Sequence, residues 1–97
     1  MQRIEIFSTE AVQEDFFEML ERETGITNYS YVTGTCGSGN QGKRIGDSVW
    51  PERNFTFICY VKDEMIERIL EVAKRMKDLF PNDGIEMFSS EATGYTL

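Results

Sequence analysis

The sequence predicts an α+β domain: one four-stranded antiparallel sheet with two helices on one of its faces. Three observations carry this. Strand-like and helix-like patterns run as β-α-β twice in succession. Each helical segment has a single apolar stripe, so it needs one surface to cover rather than two. The two units are separated by a glycine-dense stretch, residues 34–54, too polar to be another core element. At 97 residues the chain is read as a single domain, 1–97. A chain of this size buries roughly 60–65% of the surface it exposes when unfolded, so its core is thin and association would help it.

Residues 2–8, QRIEIFS, alternate, with Ile4 and Ile6 on one side and Arg3, Glu5 and Phe7 on the other, as a strand does. Ser8 and Thr9 are candidate N-cap residues, and Glu10 suits the positive end of a helix. Val12, Phe16, Met19 and Leu20 then recur at helical spacing, and Gly25 is the expected stop. Residues 27–35, TNYSYVTGT, are rich in β-branched and aromatic residues and form the second strand. Residues 54–62, NFTFICYVK, form the third, with Phe55, Phe57, Cys59 and Val61 on one face and Thr56, Ile58 and Tyr60 on the other. Asp63 is the expected cap of a second helix, whose stripe is Ile66, Ile69, Leu70, Ala73, Met76 and Phe80. Pro81-Asn82-Asp83-Gly84 stops it, and residues 85–90, IEMFSS, give the fourth strand. Right-handed crossovers, with both helices on one face, make this the ferredoxin-like β-α-β-β-α-β arrangement.

Two helices cover only one face of such a sheet. The third strand is nevertheless apolar on both faces, and Phe7, Phe88 and a Tyr pair add to the excess. A sheet face left in water shows cleaner polar alternation. Each aromatic removed from water is worth ~1.5–3 kcal/mol. A homo-oligomer built on the uncovered face is therefore expected.

Composition narrows the partners. A net charge of −7 argues against nucleic acid. No apolar run approaches the ~20 residues of a membrane span, and residues 1–8 are too short and polar for a signal peptide. A cytoplasmic protein is the expectation. With no histidine, the chain lacks the commonest general base and metal ligand. Cys59 lies in an apolar strand and reads as a small buried hydrophobe, while Cys36 sits in the central stretch. No catalytic set assembles, so a non-enzymatic role is expected.

The central stretch, GTCGSGNQGKRIGDSVWPERN, holds five of the eight glycines, the only Trp and one Cys. A structureless loop of this length inside a small domain is usually functional or disordered. Residues 37–43, GSGNQGK, fit both G-x-G-x-x-G and G-x-x-x-x-G-K. Both motifs require a helix next, whose N–H groups hold phosphate. Arg44 and a strand follow instead, so neither reading stands. Glycines give backbone freedom, and successive N–H groups form anion-binding nests without a helix. Lys43, Arg44 and Arg53 make the stretch locally positive on an acidic body. Asp47 is a candidate partner for Arg44 or Lys43. Val49 and Trp50 are apolar in a polar context; Trp50 either anchors the loop on a neighbouring subunit or is a partner-binding hot spot.

The element order, the size and the long loop between strands two and three resemble the nitrogen-regulatory PII superfamily and its PII-like relatives, which include the CutA proteins. The segments GTCGSGNQGKRIGDSVWPERNF and FPNDGIEMF look like a PII-like branch. The resemblance implies a trimer with the sheets inside and the long loop meeting a partner protein. It also implies small effectors, often adenine nucleotides, held between subunits. The matching positions are Gly34, Thr35 and Gly37 at the start of the loop and Asn82, Asp83 and Gly84 at the turn. Gly39, Gly42, Lys43 and Arg44 complete the candidate ligand-binding set, and Asp47, Trp50 and Arg53 the partner-binding or loop-anchoring set. Two features depart from the PII pattern. The turn PNDG is short and acidic, and the C-terminal SSEATGYTL has no basic residue. Phosphate would meet Asp83 and Glu91 there, with Lys43, Arg44 or Arg53 as the substitute cations. The expectation is a PII-like regulator whose loop is ordered by a small effector, its cofactor unnamed. The alternative is a CutA-like protein binding divalent metal through Cys36, Asp47 and Glu52.

Overall fold

The computed structural model describes residues 1–40 and 42–97. Chain order is β1 (Gln2–Thr9), α1 (Gln13–Thr24), β2 (Ser30–Thr35), β3 (Gly37–Gly39), β4 (Gly42–Arg44), β5 (Asn54–Val61), α2 (Ile66–Leu79) and β6 (Ile85–Glu91). Strands β2-β5-β1-β6 form one sheet in that order, every neighbouring pair antiparallel. This is the ferredoxin-like topology expected from the element order.

The core lies between the sheet and the helices. Ile4 and Ile6 of β1, and Phe55, Phe57 and Cys59 of β5, point into it, as their alternation requires. Val12, Phe16, Met19 and Leu20 meet them from the first helical segment, and Ile69, Val72 and Met76 from α2. Phe16 is fully buried, with its ring centroid 5.5 Å from Phe55 and 5.2 Å from Phe57. The α2 stripe is rotated slightly from the expected one: Val72 is buried while Leu70 is only half-buried. Val72 reaches the core because it follows Ile69 by three positions, the same near-face spacing that brings in Met76.

Both expected N-caps are replaced by other arrangements. Each helix opens with one 3₁₀ turn, Glu10–Val12 and Asp63–Met65, and neither has a side-chain cap. Ser8 and Thr9 continue β1, and their buried hydroxyls are committed elsewhere: Ser8 donates to the Gly84 carbonyl (2.9 Å) and Thr9 to the Asp83 carboxylate (3.0 Å). Asp63 faces the N-terminal amine at 3.5 Å instead of an orphan N–H. The stop at Gly25 is as expected, with φ +71° and its N–H on the Glu21 carbonyl.

The other face of the sheet is open. It presents Val32, Tyr60 and Phe88, each at least half exposed, beside the partly covered Phe7 and Ile58. Phe7 and Phe88 meet edge-on at 6.1 Å. Toward the far end the face turns polar: Arg3 donates to the Tyr60 hydroxyl (2.8 Å) and lies 3.5 Å from Glu5.

Candidate functional site

The stretch 34–54 is not structureless. Gly34, at φ +82°, sits where the β2–β5 register shifts between Thr33 and Thr35. A glycine in this conformation makes a bulge, and the bulge steers the chain off the sheet. The chain then forms a separate two-stranded ribbon, with Gly37 opposite Arg44, Ser38 opposite Lys43 and Gly39 opposite Gly42. Directly opposed residues share a face, so Arg44 falls on the glycine face and Lys43 on the other.

The ribbon's return is built by Asp47. Its carboxylate accepts the N–H groups of Val49 and Trp50, and its own N–H donates to the Trp50 carbonyl at 3.0 Å. This is the local Asx turn that short acidic side chains favour. Asp47 therefore shapes the loop rather than pairing with Lys43 or Arg44; the carboxylate nearest Arg44 is Glu52, at 4.0 Å. The turn lays the Trp50 ring over Gly42, where an added Cβ would come within 2.6 Å of the ring. Trp50 thus anchors the ribbon within its own subunit, and is still 39% exposed. Arg53 lies across Gly34 and Gly46, occupying the space a Cβ at Gly46 would need.

Arg44 ties this arm to the frame. Its side chain is only 12% exposed. It donates to Asn54 Oδ1 (2.9 Å), at the start of β5, and to the Asp83 carbonyl (2.6 Å), in the turn before β6. That turn is held from the other side by Ser8 and Thr9. Gly84 takes φ +58°, and the Asp83 N–H closes on the Phe80 carbonyl at 3.1 Å.

Arm, turn and sheet end enclose an open cleft of about 510 Å³. Small-ligand sites typically measure ~300–1,000 Å³. Of the sequence-derived candidates, Thr35, Gly37, Gly39, Gly42, Arg44 and Gly84 line it. Gly34, Lys43 and Asp83 do not, although Asp83 supplies the carbonyl that Arg44 grips. The set proposed for anchoring, Asp47, Trp50 and Arg53, stays outside the cleft and holds the arm's second half. Sequence reasoning missed Lys77 of α2, Glu86 of β6 and Asn54, as well as the wall made by Phe7 and Phe88. Phe7, Glu86 and Phe88 lie on the open face that strand alternation marks; a lysine such as Lys77 in the last turn of a helix carries no signal of a site, because lysines there ordinarily complement the negative helix end.

Cys36 is exposed, its sulfur 3.8 Å from the Ile45 carbonyl. Among the described residues no three His, Cys, Asp or Glu side chains converge on a metal-sized position. Cys36, Asp47 and Glu52 are not brought together, because Asp47 is folded into its turn and Glu52 lies toward Arg44. Cys59, buried on β5, has its thiol pushed up to about 11 by desolvation. No described helix is long and apolar enough to cross a membrane.

No protein-family model matches the sequence, and no curated protein matches it. Solved structures do match. CPII from Thiomonas intermedia, a nitrogen regulatory PII-like protein bound to ADP, AMP and bicarbonate, superposes with a TM-score of 0.72 at 22% identity, over 92% of this chain and 82% of its own. A protein from Thermus thermophilus, described as PII-like signaling, superposes at 0.59 and 18% identity, over 92% and 83%. The de novo designed protein Foldit4 reaches 0.56 at 18% identity, over 95% and 98%. The designed match shows that this frame is attainable without natural history, so function has to be argued from the arm and its cleft. In the order of its strands and helices the chain has the ferredoxin-like fold that these PII-like proteins share.

Proposed function

We propose that the protein is a non-enzymatic, cytoplasmic regulator of the PII-like type. A small effector occupies the cleft between the arm and the 82–84 turn, and the arm presents the bound state to a partner protein. The observation that carries this reading is the Arg44 bridge. It joins the start of β5, the turn and the ribbon around one cavity, so occupancy of the cavity and position of the arm are mechanically linked. The ribbon is already formed by contacts within its own chain. The effector therefore acts by clamping or shifting a shaped arm, not by ordering a disordered one. The ligands bound to CPII, which are ADP, AMP and bicarbonate, make adenine nucleotides and small anions the first panel to try.

The open sheet face supports a homo-oligomer, a trimer in this reading. Val32, Tyr60 and Phe88 leave large apolar side chains at least half exposed on the one sheet face that no helix covers. Covering it would place the clefts beside a second subunit. The divalent-metal reading has no supporting cluster among the described residues.

Isothermal titration calorimetry with AMP, ADP, ATP and bicarbonate tests the effector, and light scattering tests the assembly. Saturable binding is expected, together with a mass near three times the 11.2 kDa of one chain. An 11.2 kDa particle that binds none of the four ligands would overturn the proposal.

A further inference from the structure

The arm's cations were the natural candidates to meet an anionic effector, and the structure disposes of them one by one. Lys43, paired with Ser38 on the ribbon, does not line the cleft. Arg53 is laid across Gly34 and Gly46, outside the cleft. Arg44 does line the cleft, but its guanidinium is committed to Asn54 and to the Asp83 carbonyl, with the Glu52 carboxylate 4.0 Å away. Moving it onto a ligand would release the arm from the turn. Lys77, on the last turn of α2, is the one remaining cation of the lining, and among the described residues it has no carboxylate within 4.0 Å. The lining also contains one carboxylate, Glu86. The cleft thus offers a single uncommitted positive charge with a negative one beside the aromatic wall of Phe7 and Phe88.

Resting on the regulatory reading above, we propose that Lys77 is the specificity-determining cation of this cleft and that Glu86 sets an upper limit on ligand charge. The ligand class is a planar, partly apolar body carrying one phosphate or carboxylate group, as a nucleoside monophosphate does. The body lies against Phe7 and Phe88, and the anionic group reaches Lys77. Arg44 is a positioning residue: it fixes the arm and leaves the ligand's charge to α2. A triphosphate brings three to four negative charges to a site with one cation to spare, and like-charge juxtaposition with Glu86 disfavours it.

The test is calorimetric titration of the full-length, assembled protein with AMP and with ATP, for the wild type, Lys77→Gln and Glu86→Gln. Thermal melting confirms that both exposed substitutions leave the fold intact. AMP is expected to bind at least about tenfold more tightly than ATP, a difference of ~1.4 kcal/mol. Lys77→Gln should weaken AMP about tenfold, in line with loss of one charge-assisted contact. Glu86→Gln should tighten both nucleotides, ATP by more than AMP, and so narrow the gap between them. Wild-type protein that binds ATP as tightly as AMP would refute the charge limit while leaving the regulatory reading in place. So would AMP affinity indifferent to Lys77→Gln, for the role given to Lys77. If neither nucleotide binds, this proposal falls.

Discussion

Gly42→Ala probes whether the arm is held by its own chain. Gly42 has φ +104°, outside the range that L-residues adopt cheaply, so a side chain there costs ~1–3 kcal/mol in backbone strain alone. The new methyl would also lie 2.6 Å from the Trp50 ring, so the ring has to leave its seat. Overpacking of this kind adds ~1–3 kcal/mol where the neighbour cannot move, and less here because Trp50 is 39% exposed and can swing outward. A net local cost of about 2–4 kcal/mol follows. An isolated two-stranded ribbon is marginal in water, so this is enough to open it. The assays are Trp50 fluorescence and amide exchange. Emission should shift to the red, and the amides of residues 37–40 and 42–44 should exchange about thirtyfold faster or more, since each 1.4 kcal/mol is a factor of ten. The global melting transition should move little, because Gly42 belongs to none of the four core strands. Gly39→Ala is the matched control. It lies directly opposite Gly42, has no positive φ, and among the described residues has no atom within 4 Å of the added Cβ. It should be neutral, within ~0.5 kcal/mol. Unchanged Trp50 emission in Gly42→Ala, or equal disruption by Gly39→Ala, would refute the account of a ribbon seated on its own tryptophan.

Arg44→Gln should accelerate exchange in the same ribbon by removing the bonds to Asn54 and Asp83; each charged-donor bond is worth ~1.5–3 kcal/mol, and Arg44→Lys should not restore both because an ammonium lacks the fork. Native protein treated with iodoacetamide at pH 8 should be labelled at the exposed Cys36 and spared at Cys59, with mass spectrometry counting one adduct until the chain unfolds. Because the folded-state thiol of Cys59 titrates near 11, above its ordinary value of 9.0, its contribution to stability is complete below pH 9 and is lost as pH rises toward 11; denaturant titrations of Cys59→Ala should show a shallower alkaline decline than the wild type. Phe16→Ala, at the fully buried centre of the Phe55–Phe57 cluster, should cost ~3–5 kcal/mol in denaturant unfolding and leave little folded protein at 37 °C.

The frame was legible because its signals are periodic. The alternation of Ile4 and Ile6, the strand of Phe55, Phe57 and Cys59, and the spacing of Phe16 and Leu20 each admit one solution once two helices must share a face. The ends of helices were less legible. Ser8 and Thr9 look like caps because any hydroxyl before a helix does; that they reach instead to Gly84 and Asp83 depends on β6 pairing beside β1, a contact 74 or more residues away in sequence. The arm looks structureless in sequence for a similar reason. Its order comes from a Trp seated on a glycine and from an arginine held by a backbone carbonyl, and no local sequence pattern says which residues will meet in this way. The cleft was half visible: its glycines and Arg44 stand out in the sequence, while Lys77 and Glu86 arrive from elements that no local motif links to the arm.

Asp83 is shared by two masters. Its carboxylate accepts from Thr9 and its carbonyl from Arg44, so one residue joins the end of the sheet to the arm. The ribbon is thereby tied to the turn that runs from the end of α2 to the first residue of β6. Gly84 and Ile85, next along the chain from Asp83, are part of the cleft lining, so the arm's tether and the ligand's wall are consecutive residues.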